Sequence, residues 1–170
     1  MRIFTTIGTI IGIIILIEGT AVFTPKANAE IPNQMTTIIS MNGMCQKLIG
    51  YDTDVSDKCV NRLANAEWSD GHTSFLFVVH NEASQDATIS FSGNGKKQIH
   101  KDADTVVQPI DYVFGTFAGK TDKIKAVGTC LFTNPYKGKA TVRCTADTAM
   151  GRFTGVFLTD GNEPDVKDMR

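Results

Sequence analysis

Residues 126–146, AVGTCLFTNPYKGKATVRCTA, decide the fold of this chain. In each half of the segment every second residue is small or apolar, a period typical of β-strands with one buried face. Each half also carries one cysteine on that face, Cys130 and Cys144. Antiparallel pairing of the two faces places these cysteines opposite each other, whereas a slip of one residue would turn one face outward.

The same register agrees with the chemistry of the turn. It pairs Gly128 with Ala146 and leaves residues 136–138, Tyr-Lys-Gly, as a three-residue loop. Glycine is third in that loop, where the common three-residue hairpin requires a positive φ. The segment therefore predicts a β-hairpin crossed by a Cys130–Cys144 disulfide.

The two remaining cysteines, Cys45 and Cys59, form the second predicted disulfide. Redox-active dithiols and zinc sites use cysteines two to four residues apart, and neither pair here has that spacing. Each bridge closes a loop of about 15 residues, which the chain-entropy model values at about 3 kcal/mol. We predict two structural disulfides and no cysteine chemistry.

The remainder of the chain also favours strands. Turn signals recur about every eight to fifteen residues, between runs rich in Val, Ile, Thr and Phe. Residues 75–79 are apolar on both faces, which predicts a central strand, and residues 87–92 alternate as a half-buried strand does. Pro109 interrupts the strand-like run 105–117, so an edge, a bulge or a break is expected there.

One segment leaves helix and strand open. Over residues 56–66 a serine is available as a cap and Cys59, Leu63 and Ala66 share a helical face, yet residues 61–68 also suit a strand. We favour a strand from about Asn61, preceded by a helical turn. The predicted fold is one all-β domain, an antiparallel β-sandwich or small open barrel of about seven or eight strands, with at most one short helix near residues 56–66.

The N-terminus has the pattern of a secretory signal peptide, residues 1–29. Arg2 precedes the apolar run 3–17, and Ala27-Asn28-Ala29 is a small-x-small cleavage site. The alternative is an uncleaved membrane anchor, but the run is shorter than the roughly 20 residues that span a bilayer. We predict an exported protein, periplasmic or secreted, with no membrane insertion after cleavage. The mature part is a single β domain, residues 30–170, with a loose tail from about residue 163.

Charge argues against nucleic acid as a partner. The formal net charge is −1, and the basic cluster 96–101 lacks interleaved aromatic residues and is followed by Asp102 and Asp104. Short charge clusters of this kind are usually solvated turns. We predict no nucleic-acid partner.

Signatures of catalysis and metal binding are absent from the sequence. His72, His80 and His100 lack the close spacing of a local metal pair, and no Gly-x-Ser-x-Gly motif occurs. The acidic segment 52–57 lacks the glycine and glutamate that an EF-hand requires, and the segment 160–165 has no predicted helix–loop–helix around it. A hydrated turn is the stronger interpretation of both segments, and a calcium site of another geometry is the alternative. We predict no cofactor and no metal site.

The leading functional hypothesis is an exported β domain that acts by non-enzymatic binding of a protein partner, as an inhibitor does, or of a small ligand. A rigid β scaffold commonly carries its binding residues in loops. The candidate binding residues lie in two turns: Trp68, Asp70, His72, Tyr136 and Lys137.

Two alternatives stay open. One is a small periplasmic or secreted hydrolase that uses His80 or His72, since a Ser–His–Asp set assembled from distant residues leaves no local motif. The other is a structural protein of the cell envelope. A pocket lined by convergent polar groups would favour a ligand binder or an enzyme, and a filled core with one exposed apolar patch would favour a protein partner.

Overall fold

The computed structural model describes residues 33–80, 87–117 and 119–170. The predicted signal peptide, residues 1–29, lies outside the described residues. The strands of the described part are β1 (Met35–Gly50), β2 (Thr53–Asp54), β3 (Cys59–Trp68), β4 (His72–Val79), β5 (Ala87–Asn94), β6 (Ile99–His100), β7 (Thr105–Phe117), β8 (Lys120–Thr133), β9 (Thr141–Thr148), β10 (Gly151–Thr159) and β11 (Asp165–Asp168). Three single turns of 3₁₀ helix lie between them, at Ser56–Lys58, Gly95–Lys97 and Pro135–Lys137.

Eight of these strands form a closed antiparallel barrel. Their order is β1, β3, β4, β5, β7, β8, β9 and β10, and β10 pairs back with β1. The predicted all-β fold of seven or eight antiparallel strands is confirmed, but the barrel is closed rather than open. Closure follows from the length of β1, which pairs with β3 over residues 35–42 and with β10 over residues 43–49.

Side chains fill the interior of the barrel. The interior residues alternate along each strand with residues that face outward, and an eight-stranded barrel is just wide enough to be filled this way. Four fully buried phenylalanines dominate the core: Phe77, Phe91, Phe153 and Phe157. β4 lies between β3 and β5, so the prediction of a central strand at residues 75–79 is confirmed.

The β8–β9 hairpin has the predicted register, with Cys130 opposite Cys144 and Gly128 opposite Ala146. Its connection is longer than the predicted three-residue loop and covers residues 134–140. Pro135 starts a 3₁₀ turn capped by the Asn134 side chain, and the Ala140 N–H donates to Thr159 Oγ1 on β10. Gly138 does adopt a positive φ, 98°.

Both predicted disulfides, Cys45–Cys59 and Cys130–Cys144, are present. Disulfides of this kind are typical of proteins that fold in an oxidising compartment. In the described part of the chain, no helix has the length and apolar character needed to cross a bilayer.

Two further expectations can be compared with the structure. The strand favoured from Asn61 is present as β3, with a helical turn at Ser56–Lys58 before it. Where a loose tail was expected from about residue 163, Asp165–Asp168 instead pair with β1 as β11. This pairing is possible because β10 ends at Thr159 and leaves the first half of β1 open on that side.

Pro109 causes a local irregularity in β7. The ladder between β7 and β8 shifts register between Ile110 and Tyr112, so the predicted bulge is confirmed next to the proline. Because proline has no N–H to donate, a carbonyl group near it needs a donor from elsewhere. The buried amide of Gln108 is such a donor, since its Nε2 donates to the carbonyl oxygens of Asn94 at 3.0 Å and Pro109 at 2.7 Å.

Candidate functional site

A groove runs along the outer face of β4, β5 and β7. Phe75 and Phe77 point into the barrel, so Ser74 and Leu76 between them point outward. The ladder sets Ser92 of β5 beside Ser74. The cavity volume of the groove is about 520 Å³, within the range of small-ligand sites.

We call this cavity the outer groove. Its lining combines hydroxyl, amide and charged groups with large apolar side chains. The residues are Asn33, Met35, Trp68, Asp70, His72, Ser74, Leu76, Thr88, Ser90, Ser92, Tyr112, Phe114, Thr116, Thr121 and Lys123.

Serine side chains form the floor of the outer groove. Ser74, Ser90 and Ser92 are only 4–7% exposed, although they lie on the outer face of the barrel. Ser74 Oγ donates to Ser92 Oγ at 3.0 Å. The sequence predicted a half-buried strand at residues 87–92, but the structure buries both faces of β5 there, because larger side chains flank the small serines.

Aromatic rings of β7 form one wall. The ring centroids of Tyr112 and Phe114 lie 6.4 Å apart. Lys123 on β8 places its Nζ 4.0 Å from the Tyr112 centroid and 5.7 Å from that of Phe114. An ammonium over an aromatic face is attracted by the ring quadrupole, so this wall holds a positive charge in a defined position.

The opposite wall is built by Trp68 and the turn after it. Asp70 binds His72 twice: Oδ1 accepts from the backbone N–H at 2.9 Å, and Oδ2 lies 2.9 Å from the imidazole Nδ1. Asn33 Nδ2 also donates to Asp70 Oδ2, at 2.8 Å. Burial raises the pKa of the Asp70 carboxyl, but the hydrogen bonds from His72 outweigh it, so this pKa lies below its ordinary value.

Asp70→Asn is expected to lower the free energy of unfolding modestly at neutral pH. A carboxyl whose pKa is lowered on folding stabilises the folded state above its ordinary pKa, and this contribution disappears as the pH falls through the folded value. The Asp70 side chain is 41% exposed, so solvent screening limits the loss to about 0.5–1 kcal/mol. Urea unfolding at pH 7 and pH 3 measures it, with the exposed Asp57→Asn as control. The difference in the free energy of unfolding between wild type and Asp70→Asn should be smaller at pH 3 than at pH 7. If wild type and Asp70→Asn are equally stable at pH 7, the prediction is wrong.

The structure divides the five predicted binding residues. Trp68, Asp70 and His72 all line the outer groove. Tyr136 and Lys137 lie at the same end of the barrel but on its opposite side, because two strands lie between the β8–β9 hairpin and the β3–β4 hairpin in either direction. The Tyr136 side chain is 52% exposed, and Lys137 Nζ lies 2.6 Å from Asp104 Oδ1. These two residues are not part of the groove.

Sequence reasoning missed the floor and the β7 wall. Its candidate residues did not include Tyr112, Phe114 or Lys123. A usable signal was present, since Thr88, Ser90 and Ser92 repeat hydroxyl groups along one face of β5. That face becomes a site only where Tyr112 and Phe114 stand beside it on the next strand.

The backbone of the groove floor takes part in the sheet ladders. β4 and β5 are paired on both sides, so their backbone N–H groups are used in the ladders and cannot form an oxyanion hole. His80 lies at the other end of β4 from His72. Within the described residues no group of three or more His, Cys, Asp or Glu is placed to share a metal ion.

The chain was also compared with known proteins. No protein family, curated protein or solved structure in these comparisons matches it.

Proposed function

We propose that the chain is an exported binding domain that holds a ligand in the outer groove without transforming it. The observation that carries this proposal is the groove itself, with buried serines between two walls that present aromatic rings and charged groups. Binding sites commonly combine an apolar lining with a few placed polar groups in this way.

The filled barrel interior supports an external site. Eight-stranded barrels that hold a ligand inside need space along the axis. Here fully buried phenylalanines from β4, β5 and β10 occupy that region. This packing supports the outer groove on β4, β5 and β7 as the site, rather than the axis of the barrel.

Export is supported by two independent features. The first is the charged, apolar and small-residue order of residues 1–29. The second is the pair of disulfides, Cys45–Cys59 and Cys130–Cys144, which are stable in an oxidising compartment. We assign the protein to the periplasm or the extracellular medium on these grounds.

A hydrolase is the second candidate, and the Asp70–His72 contact favours it. A carboxylate that accepts from Nδ1 orients an imidazole for general-base work. Ser74 and Ser92 lie in the same groove, but each hydroxyl is engaged with the other at 3.0 Å. The backbone N–H groups of β4 and β5 are used in the sheet and form no oxyanion hole, so we rank a hydrolase below a binding domain.

The test is a screen of small soluble molecules against the ¹⁵N-labelled exported protein by NMR. Ligands of the groove should shift amide signals of β4, β5 and β7 and leave those of β9 unchanged. Ser90→Phe fills the groove and should weaken these ligands at least tenfold, since the added ring takes the space they need. Thr145→Phe places the same ring on the exposed outer face of β9 and should have no effect.

Two results would contradict the proposal. The site is elsewhere if ligands shift amide signals throughout the protein rather than those of β4, β5 and β7. The same conclusion follows if Ser90→Phe leaves the affinity for these ligands unchanged. Turnover of ester, peptide or glycan substrates that is lost in His72→Ala would establish the hydrolase instead.

A further inference from the structure

We infer that the ligand of the outer groove is a saccharide that carries an anionic group, held by hydroxyl groups on the floor, by Trp68 and by Lys123. This inference rests on the proposed function and names the chemistry of the ligand. It follows from three properties of the groove and from the exclusion of other ligand classes.

The first property is the supply of hydroxyl groups. Serines lie along the floor, and at the far end Thr116 Oγ1 and Thr121 Oγ1 share a hydrogen bond of 2.9 Å. A hydroxyl group both donates and accepts, so a row of them matches a ligand whose own groups do the same. A sugar ring presents such groups around its edge.

The second property is a flat apolar surface at the end of β3. Trp68 lines the groove and is only partly buried. The C–H face of a sugar ring packs against an aromatic ring, while its hydroxyl groups remain free to reach the floor. Indole provides a large contact area with few rotatable bonds, which keeps the entropic cost of binding low.

The third property is the distribution of charge. Lys123 is the single lysine or arginine in the lining, and in the described part of the chain it contacts aromatic rings and forms no ion pair. The one carboxylate, Asp70, already accepts hydrogen bonds from His72 and Asn33. A ligand carboxylate is therefore attracted to Lys123 at the β7 wall. The negative charge of Asp70 repels it less, because Asp70 already accepts hydrogen bonds from His72 and Asn33.

Other ligand classes fit less well. An extended peptide cannot add as a strand, because the strands of the floor have no free edge. An acyl chain would cover the floor hydroxyls without offering them partners. Single-stranded nucleic acid needs a groove with several cations, and this lining has one.

The experiment compares matched acidic and neutral sugars. Digalacturonate and trigalacturonate are titrated beside galactobiose and galactotriose, by calorimetry and by fluorescence of Trp68, the single tryptophan of the chain. The acidic sugars should bind about tenfold more tightly than the neutral ones and should change the Trp68 emission, since a hydrogen bond to a charged group is stronger than a neutral one.

Variants then assign the contacts. Lys123→Met should reduce the affinity for the acidic sugars to that for the neutral ones. Lys125→Met, on the same outer face of β8 but outside the lining, should leave it nearly unchanged. Trp68→Ala should abolish binding of both sugars in calorimetry, and Trp68→Phe should retain part of it.

The outcomes separate this inference from the proposed function. If neither sugar binds but small molecules from the screen still occupy the groove, the saccharide assignment is wrong and the binding function stands. The ligand does not need an anionic group if acidic and neutral sugars bind with equal affinity. The same holds if Lys123→Met reduces the affinity for the acidic sugars no more than Lys125→Met does. If neither the sugars nor the small molecules of the screen bind in the groove, the proposed binding function is wrong, and the saccharide inference is wrong with it.

Discussion

Phe91→Ala is expected to lower the free energy of unfolding by about 3–5 kcal/mol, the usual cost of removing a fully buried phenylalanine. Phe91 is 0% exposed and lies in the middle of β5. Its ring packs edge-on against Phe77, with centroids 5.8 Å apart. Gly155 on β10 provides the space for both rings, because a Cβ there would lie 2.6 Å from Phe77 and 3.1 Å from Phe91. The site is tightly packed and cannot readily collapse around a cavity.

Urea unfolding followed by circular dichroism measures this loss. Phe114→Ala is the matched control, because Phe114 is partly exposed on the outer face of the neighbouring strand β7 and should cost about 1 kcal/mol or less. If Phe91→Ala fails to fold, Phe91→Leu should still unfold at a lower urea concentration than wild type. Equal losses for Phe91→Ala and Phe114→Ala would refute the assignment of Phe91 to the core.

The sequence allowed prediction of the features that depend on local alternation. The partners of the β8–β9 hairpin and its disulfide follow from residues less than about twenty positions apart, where the two-residue period leaves a single register that buries both faces. The same reasoning placed Trp68, Asp70 and His72 in one turn. It also found the proline irregularity in β7, because Pro109 cannot donate to a ladder.

Features that depend on distant pairings could not be predicted. Closure of the barrel requires β1 to pair with β10, although these strands are far apart in the sequence. β11 becomes a strand only because one edge of the first half of β1 is left unpaired by β10. The outer groove likewise depends on which strand lies beside β5. Lys123 contributes because β7 and β8 align it with Phe114. Periodicity shows which side chains share a face, but not which faces become neighbours.

Removal of the Cys130–Cys144 bridge by Cys130→Ala is expected to cost about 2–4 kcal/mol. The second bridge provides a control for the contribution of chain entropy. Both bridges have a sequence separation of 14, so the entropic model assigns them the same value of about 3 kcal/mol. They differ in surroundings, because Cys130 and Cys144 are 0% exposed inside the barrel, whereas Cys45 and Cys59 are partly exposed.

The double variants Cys130→Ala/Cys144→Ala and Cys45→Ala/Cys59→Ala isolate that difference, since neither leaves an unpaired thiol. The inner pair should lose more stability, because its removal also leaves a cavity in the core. Urea unfolding of both variants and of wild type gives the two losses directly. Equal losses would mean that chain entropy accounts for the whole effect, and a smaller loss for the inner pair would contradict its place in the core. A larger inner loss shows that this bridge also acts as a core side chain, joining β8 to β9 where their buried faces meet.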